Sequence, residues 1–260
     1  MPLFEEHHPA ISMPEGDELL WRYLEFERFR ELLSKSILWF ARTDTFEDPF
    51  EGSVTPLNIE MRKTAQARRR IPMTLPAALG GLPPDVEGYK RVNFASCWHA
   101  NDVESMAMWN MYSHKSIVAI LSTRSHMRTS FKKSDKEIYL GRVRYKDFSA
   151  GTKDFVDESN AFNHFFTKRN NFEYEKEVRA VLLEFPPEES STPVANEFPK
   201  LFRSNVLGVE IAIDPETLIQ EVRVQPQSSA SFRSEVEKMK NEFGFTFPIR
   251  DSEMKALPLF

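Results

Sequence analysis

Apolar and polar positions change their period several times along the chain, and each change marks an element. Leu19 to Tyr23 is an apolar run of strand length interrupted by one cation, Arg22. Directly after it, Phe26, Phe29, Leu32 and Leu33 recur at the spacing that puts them on one stripe of a helix. Ser34-Lys35-Ser36 ends that helix. Ile37 to Ala41 is continuously apolar, which predicts a strand buried on both faces. Val92 to His99 reads as a further strand. Asn101, with Glu104 three residues later, then caps a helix whose bulky side carries Met108, Trp109, Met111 and Tyr112.

The second half of the chain is richer in strands. Ile117 to Leu121 is a buried strand. From Ile138 to Tyr145 the residues alternate, with Tyr139, Gly141, Val143 and Tyr145 on one side and Arg142 and Arg144 on the other. Phe162, Phe165 and Phe166 recur at helical spacing, and Tyr174 to Phe185 reads as one long strand. Val206 to Ile213 and Val222 to Val224 add two more. Asp214 followed by Pro215 starts a short helix between them. Phe232, Val236, Met239 and Phe243 line one face of a last helix, closed by Gly244. Strands outnumber helices without alternating with them, so the pattern predicts a single α+β domain over residues 18–260. Residues 1–17 show no periodicity and are expected to be a poorly ordered arm. The stretch at about 58–88 opens as a basic helix and is then broken by four Pro and a Gly-Gly pair, which predicts a mobile insertion.

Composition narrows the classes. The 260 residues are 41% hydrophobic with 22 Phe, enough to exclude a disordered chain and to predict a Phe-rich core. A single Cys, Cys97, excludes an internal disulfide framework and a Cys-based zinc site. The first twenty residues lack a signal-peptide pattern and no stretch is apolar enough to span a membrane, so a soluble cytoplasmic protein is expected. With 34 basic and 39 acidic side chains the net charge is −5, which opposes bulk electrostatic affinity for nucleic acid. One local basic segment, Arg62-Lys63 with Arg68-Arg69-Arg70, stays open as either a nucleic-acid contact or a solvated helix face.

Three constellations carry candidate chemistry. On an extended strand Glu175, Glu177 and Arg179 would share one face, placing two carboxylates beside a guanidinium. Such a pair can hold a proton or stabilise a cation, although charged strand faces are also simply solvated. In Ser96-Cys97-Trp98-His99, Cys97 and His99 share a face, as do Ser96 and Trp98. A Cys/His nucleophile pair is geometrically conceivable, and Trp98 suits either the core or a stacking platform. Arg22, inside an apolar strand, needs a carboxylate partner or a ligand phosphate. Asp48, Glu51 and Lys168-Arg169 read as solvated surface charge. Asp48 with Glu175 and Glu177 also leaves open a metal-dependent phosphodiesterase or nuclease, since clustered carboxylates suit Mg²⁺.

LWRY, SILWFARTDTFEDPFEG, SCWHANDVESMAMW and KRNNFEYEKEVRAV together resemble the block pattern of an uncharacterised, mainly bacterial domain family, over roughly Leu20 to Pro258. More distantly, the chain resembles the ADP-ribosyltransferase superfamily, with Arg22, Ser96 and Glu175-Lys176-Glu177 in the order of that superfamily's Arg, Ser and paired-Glu motifs. In place of the usual Ser-x-Ser stands Ser96-Cys97-Trp98. The resemblance implies two packed, mostly antiparallel small sheets with flanking helices and a cleft for NAD between them. It implies that Arg22 holds phosphate, Ser96 fixes the nicotinamide-side ribose, Glu177 stabilises the cationic transition state and Glu175 orients the acceptor. Tyr23, Trp98, His99 and Arg179 complete the expected NAD site. The implied activity is ADP-ribosyl transfer from NAD to an unknown protein or nucleic acid, as in a toxin or phage-defence effector. The rival expectation is a non-catalytic module that binds nucleotide or nucleic acid.

Overall fold

The computed structural model describes residues 11–12, 16–68, 90–111, 116–157, 162–184 and 206–256. Most of the predicted N-terminal arm and the Pro-rich part of the predicted insertion lie outside them, as do Arg69, Arg70 and the side chain of Arg68.

The opening unit follows the sequence pattern closely. Strand β1 (Leu19–Glu25) runs into helix α1 (Phe26–Lys35), whose four buried residues are Phe26, Phe29, Leu32 and Leu33. Ser36 closes the helix in the left-handed region, at φ 53°. Strand β2 (Ile37–Arg42) follows, but it is buried on one face only. Leu38, Phe40 and Arg42 are buried while Ile37, Trp39 and Ala41 are half-buried. The expectation of burial on both faces fails because Trp39 faces the open side and lies beneath the Arg28 guanidinium, 5.3 Å away.

The next elements are α2 (Pro56–Arg68), β3 (Asn93–Ala100), α3 (Met106–Met111), β4 (Ile117–Thr123) and α4 (Arg124–Ser130). Asn101 does not cap α3, which starts only at Met106; its Oδ1, the atom a cap would use, accepts from Lys176 Nζ, and its Nδ2 donates to the Val103 carbonyl. The α3 amide of Met108 is met instead by the Ser105 hydroxyl. Glu104, expected as the reciprocal cap, is buried and accepts from Trp109 Nε1, Arg223 and the Ser252 hydroxyl. A guanidinium brought by a distant strand outcompetes a local backbone amide.

The single strand predicted from Ile138 to Tyr145 is two, β5 (Tyr139–Arg142) and β6 (Arg144–Lys146), in different sheets. Then come α5 (Phe162–Phe165), β7 (Thr167–Arg169), β8 (Glu177–Leu183), β9 (Gly208–Ala212), α6 (Pro215–Leu218), β10 (Glu221–Val224), α7 (Ala230–Glu242) and β11 (Ile249–Asp251). None of the described helices is long and apolar enough to cross a membrane.

The two separate small sheets that were expected are one branched, nine-stranded, mostly antiparallel sheet, with β6 and β7 forming a small parallel pair beside it. The order is β11-β10-β4-β1-β3-β2-β9, and β8, flanked by β5, lies along the other edge of β3. The branch arises at β3. That strand pairs with β8 continuously from Asn93 to His99. On its opposite edge it meets β1 only at His99 and Ala100, and β2 only at Phe94 and Ala95. β1 and β2 therefore diverge as the prongs of a fork, with Ser96 to Trp98 between them. One main core fills the side of the sheet covered by α1 and α7, built from Phe29, Phe40, Phe94, Trp98 and Val236 among others.

The β2–β9 edge is packed without slack. A Cβ at Gly208 would sit 2.1 Å from the Trp39 ring and 2.6 Å from the Phe40 carbonyl oxygen. Gly208→Ala is therefore expected to lower stability by about 1–3 kcal/mol in equilibrium urea unfolding, and an unchanged midpoint would contradict this packing.

Candidate active site in the fork of the sheet

Divergence of β1 and β2 leaves backbone carbonyls without strand partners, and buried carbonyls without partners are costly. Arg22 meets them. From β1 its Nη1 donates to the Cys97 carbonyl of β3 at 3.0 Å, and its Nη2 to the Trp39 carbonyl of β2 at 3.4 Å. Nη1 also donates to the Ser96 hydroxyl at 2.5 Å, which in turn accepts from Trp98 Nε1 at 3.1 Å. The guanidinium lies 5.8 Å from the Trp98 ring. Arg22, Ser96 and Trp98 thus form one unit spanning the fork, and Ser96 is completely buried.

A cleft of about 480 Å³ opens at this fork. Arg22, Tyr23, Trp98, His99, Glu175 and Glu177 all line it, whereas Ser96 and Arg179 do not. Ser96 instead holds Arg22 from behind. On the sheet face opposite Ser96, Cys97 and His99 of β3 stand across from Arg179 and Glu177 of β8.

Glu175 reaches the cleft by a route the strand pattern did not show. It ends a 3-10 turn over Asn170–Glu175, and Lys176, at φ 41°, swings the chain into β8. The long strand expected from Tyr174 therefore begins at Glu177, and Glu175 shares no strand face with it. The two carboxylates come together because both approach Lys168. Its Nζ is 2.6 Å from Glu175 Oε2, 3.5 Å from Glu177 Oε2 and 3.4 Å from Glu51 Oε1.

Arg179, 1% exposed, is the centre of this cluster. Its Nε and Nη2 donate to the two Glu177 oxygens at 2.7 and 2.9 Å, and its Nη1 and Nη2 to the two Glu51 oxygens, both at 2.9 Å. Nη1 donates further to the Phe165 carbonyl at 2.8 Å, and the Phe46 ring lies 5.4 Å away. Asp48, from the same loop as Glu51, pairs with Arg169 at 2.8 Å. Asp48, Glu51 and Lys168, read from sequence as solvated charge, are all buried. Their signal was the pair of Phe residues framing the FEDPFEG turn: Phe46 packs against the cluster containing Val181 of β8, and Phe50 lies beneath the Arg169 guanidinium that pairs with Asp48.

Within the cluster three carboxylates, Glu51, Glu175 and Glu177, face two cations, Lys168 and Arg179. Burial opposes ionisation of Glu177, but Arg179 and Lys168 overcome it and hold its carboxyl down at about 2. Glu175 moves the other way. Burial, helped by the Glu177 charge, raises its carboxyl above the ordinary value despite Lys168. Lys168 and Arg179 are buried too, yet the surrounding carboxylates raise them both. The cleft wall therefore holds a firmly fixed anion, Glu177, beside a second carboxylate, Glu175, whose affinity for protons is raised.

Cys97 shares its face with His99 as the alternation predicts, but burial and then the Glu177 charge push its thiol well up. His99 is pulled down, chiefly by burial. Both shifts oppose a thiolate–imidazolium pair, so this geometry does not activate Cys97. The carboxylates that a metal ion would need are occupied as well. Asp48 is held by Arg169, and Glu175 and Glu177 by Lys168 and Arg179, and the described residues contain no metal-holding cluster of His, Cys, Asp or Glu.

No family model matches the chain, and no curated protein matches it. Solved structures similar to it include Thermus sp. 2.9 DarT in complex with ADP-ribosylated ssDNA, at 12% identity over 94% of this chain and 97% of that one, with a TM-score of 0.38. The same protein in complex with carba-NAD+ gives 12% identity, 93% and 97% coverage and a TM-score of 0.36. In complex with NAD+ it gives 13%, 94% and 98%, and 0.33. At these values the likeness leaves function to be argued from the side chains of the cleft.

Two outcomes follow from the cluster. Arg179→Met strands Glu51 and Glu177 in a dry site and is expected to cost about 3–5 kcal/mol in urea unfolding; a loss within experimental error would contradict the geometry. Glu177 ionises near 2 in the fold against 4.5 for an ordinary glutamate carboxyl, so its stabilisation is complete above that higher value and drains away as pH falls from there towards 2. Glu177→Gln should therefore flatten this part of the acid-unfolding curve, and an identical curve would contradict the assignment.

Proposed function

We propose that the cleft binds NAD as a substrate and that the chain transfers its ADP-ribosyl group to a macromolecular acceptor, protein or nucleic acid. The observation that carries this reading is the fixed Glu177 anion in the cleft wall, kept ionised in a water-poor site by Arg179 and Lys168. A cleft of about 480 Å³ falls within the range of small-molecule sites. Arg22, which also lines the cleft, supplies a planar cation of the kind that suits phosphate oxygens, and Trp98 and Tyr23 add aromatic lining.

The chemistry asks for what these groups offer. When the bond between ribose C1′ and the nicotinamide nitrogen breaks, its electron pair leaves with the now neutral base and positive charge develops on the ribose. Glu177, already oriented by two hydrogen bonds from Arg179, lowers the energy of that charge without reorganising. The acceptor's nucleophilic atom then bonds to C1′ and gives up its proton. Glu175, beside the reacting centre and with a raised affinity for protons, orients the acceptor and takes that proton. Ser96 serves indirectly by holding the Arg22 guanidinium. Arg179 likewise acts through Glu177 and is a positioning residue.

Incubation of the purified chain with NAD labelled in its adenylate half, together with a cell lysate, is expected to label a macromolecule and release nicotinamide. Glu177→Gln should reduce the rate by about 10²–10³-fold while calorimetry shows NAD still bound. Absence of NAD binding to the unmodified chain would remove the reading. Labelling and nicotinamide release that survive EDTA would dispose of the metal-dependent phosphodiesterase.

A further inference from the structure

His99 is 2% exposed and lines the cleft, yet its Nε2 has no hydrogen-bond partner among the described residues. The tautomer is set from the far side of the ring. Nδ1 lies 2.6 Å from the Glu175 carbonyl oxygen, and a carbonyl can only accept, so Nδ1 carries the proton and Nε2 the lone pair. Burial, with the Lys176 charge, lowers the affinity of the ring for a second proton and favours the neutral form. A dry lone pair without a donor is a standing cost to the fold, and such groups are rarely left without a use.

The surroundings say what would meet it. Tyr23 stands edge-on to the imidazole at 6.5 Å and packs against Trp109 at 4.9 Å. Trp21, Met108 and Met111 also line the cleft, giving a soft, aromatic wall that accepts a planar ring. Glu175 and Glu177 make the adjoining wall acidic. A flat heterocycle carrying an N–H donor satisfies all three conditions, and one carrying a carboxylate in that place meets a lone pair and an anionic wall together.

We infer that His99 Nε2 is a specificity-determining acceptor for this cleft, taking a hydrogen bond from the amide of a carboxamide-bearing aromatic ring and rejecting the corresponding carboxylate. The inference rests on the nucleotide reading above and narrows it to the amide end of the substrate.

The test compares NAD with its deamidated counterpart, nicotinic acid adenine dinucleotide, by calorimetry. The unmodified chain should prefer NAD by about tenfold or more. His99→Phe should reduce that preference to within about threefold, and His99→Gln, which restores an acceptor, should recover part of it. Imidazole ¹⁵N spectra of the unmodified chain need no variant to fold. They should show Nε2 unprotonated in the free protein and shifted towards the hydrogen-bonded range when NAD is added. If NAD binds but His99→Phe keeps the preference, or Nε2 is protonated or unmoved, the inference is overturned while the nucleotide reading survives. If NAD does not bind, that reading falls, and free nicotinamide decides the inference: a shift of Nε2 on its addition retains it, and none overturns it.

Discussion

Arg179 is a guanidinium removed from water, and an unpaired charge in that position would cost several kcal/mol. Every direction in which it can donate is answered, by Glu177 on its own strand, by Glu51 from the loop after β2, and by the Phe165 carbonyl ahead of β7. Two further segments are thereby tied to β8 through one planar cation. The same contacts shape the electrostatics of the cleft, because Arg179 and Lys168 keep Glu177 ionised while burial raises the proton affinity of its neighbour Glu175. Stability and the charge state of the cleft wall share one set of hydrogen bonds here.

The fork is the second constraint. A strand that pairs fully on one edge and only at its two ends on the other must leave carbonyls open at its middle, and the gap must be either closed by side chains or filled by ligand. Arg22 closes part of it by donating across to both neighbouring strands. The rest is the cleft. Arg22 is therefore structural before it is anything else, and its use towards phosphate would draw on a guanidinium already held in place by Ser96. In the same cleft His99 carries the opposite imbalance, a lone pair the fold does not answer.

The elements were legible where a local pattern and the final packing agree. The stripe of Phe26, Phe29, Leu32 and Leu33 is buried as a stripe because α1 lies flat on one side of the sheet. The alternation that put Cys97 and His99 on one face of β3 survives because pleating is a property of the strand alone. Misreadings fall where a remote partner outbids a local one. Glu104 abandons a helix cap for Arg223, 119 residues away. Tyr139 to Tyr145 breaks in two because the backbone beyond Arg142 turns to other partners, with the Arg144 amide donating to the Phe166 carbonyl. Glu175 leaves the strand through one left-handed residue, Lys176, that no periodicity announces.

From the sequence alone came the α+β class, the opening strand-helix-strand unit, the roles of Phe in the core and the small set of side chains able to carry chemistry, since these depend on residue type and on the periods of helix and strand. Tertiary structure decided that the sheet is one branched layer, that Ser96 backs Arg22 rather than lining the cleft, and that Asp48, Glu51 and Lys168 are buried partners rather than wet surface. The reason is physical: the state of a charge depends on which distant charges share its dry environment, and that proximity is a property of the folded backbone, not of any stretch of chain.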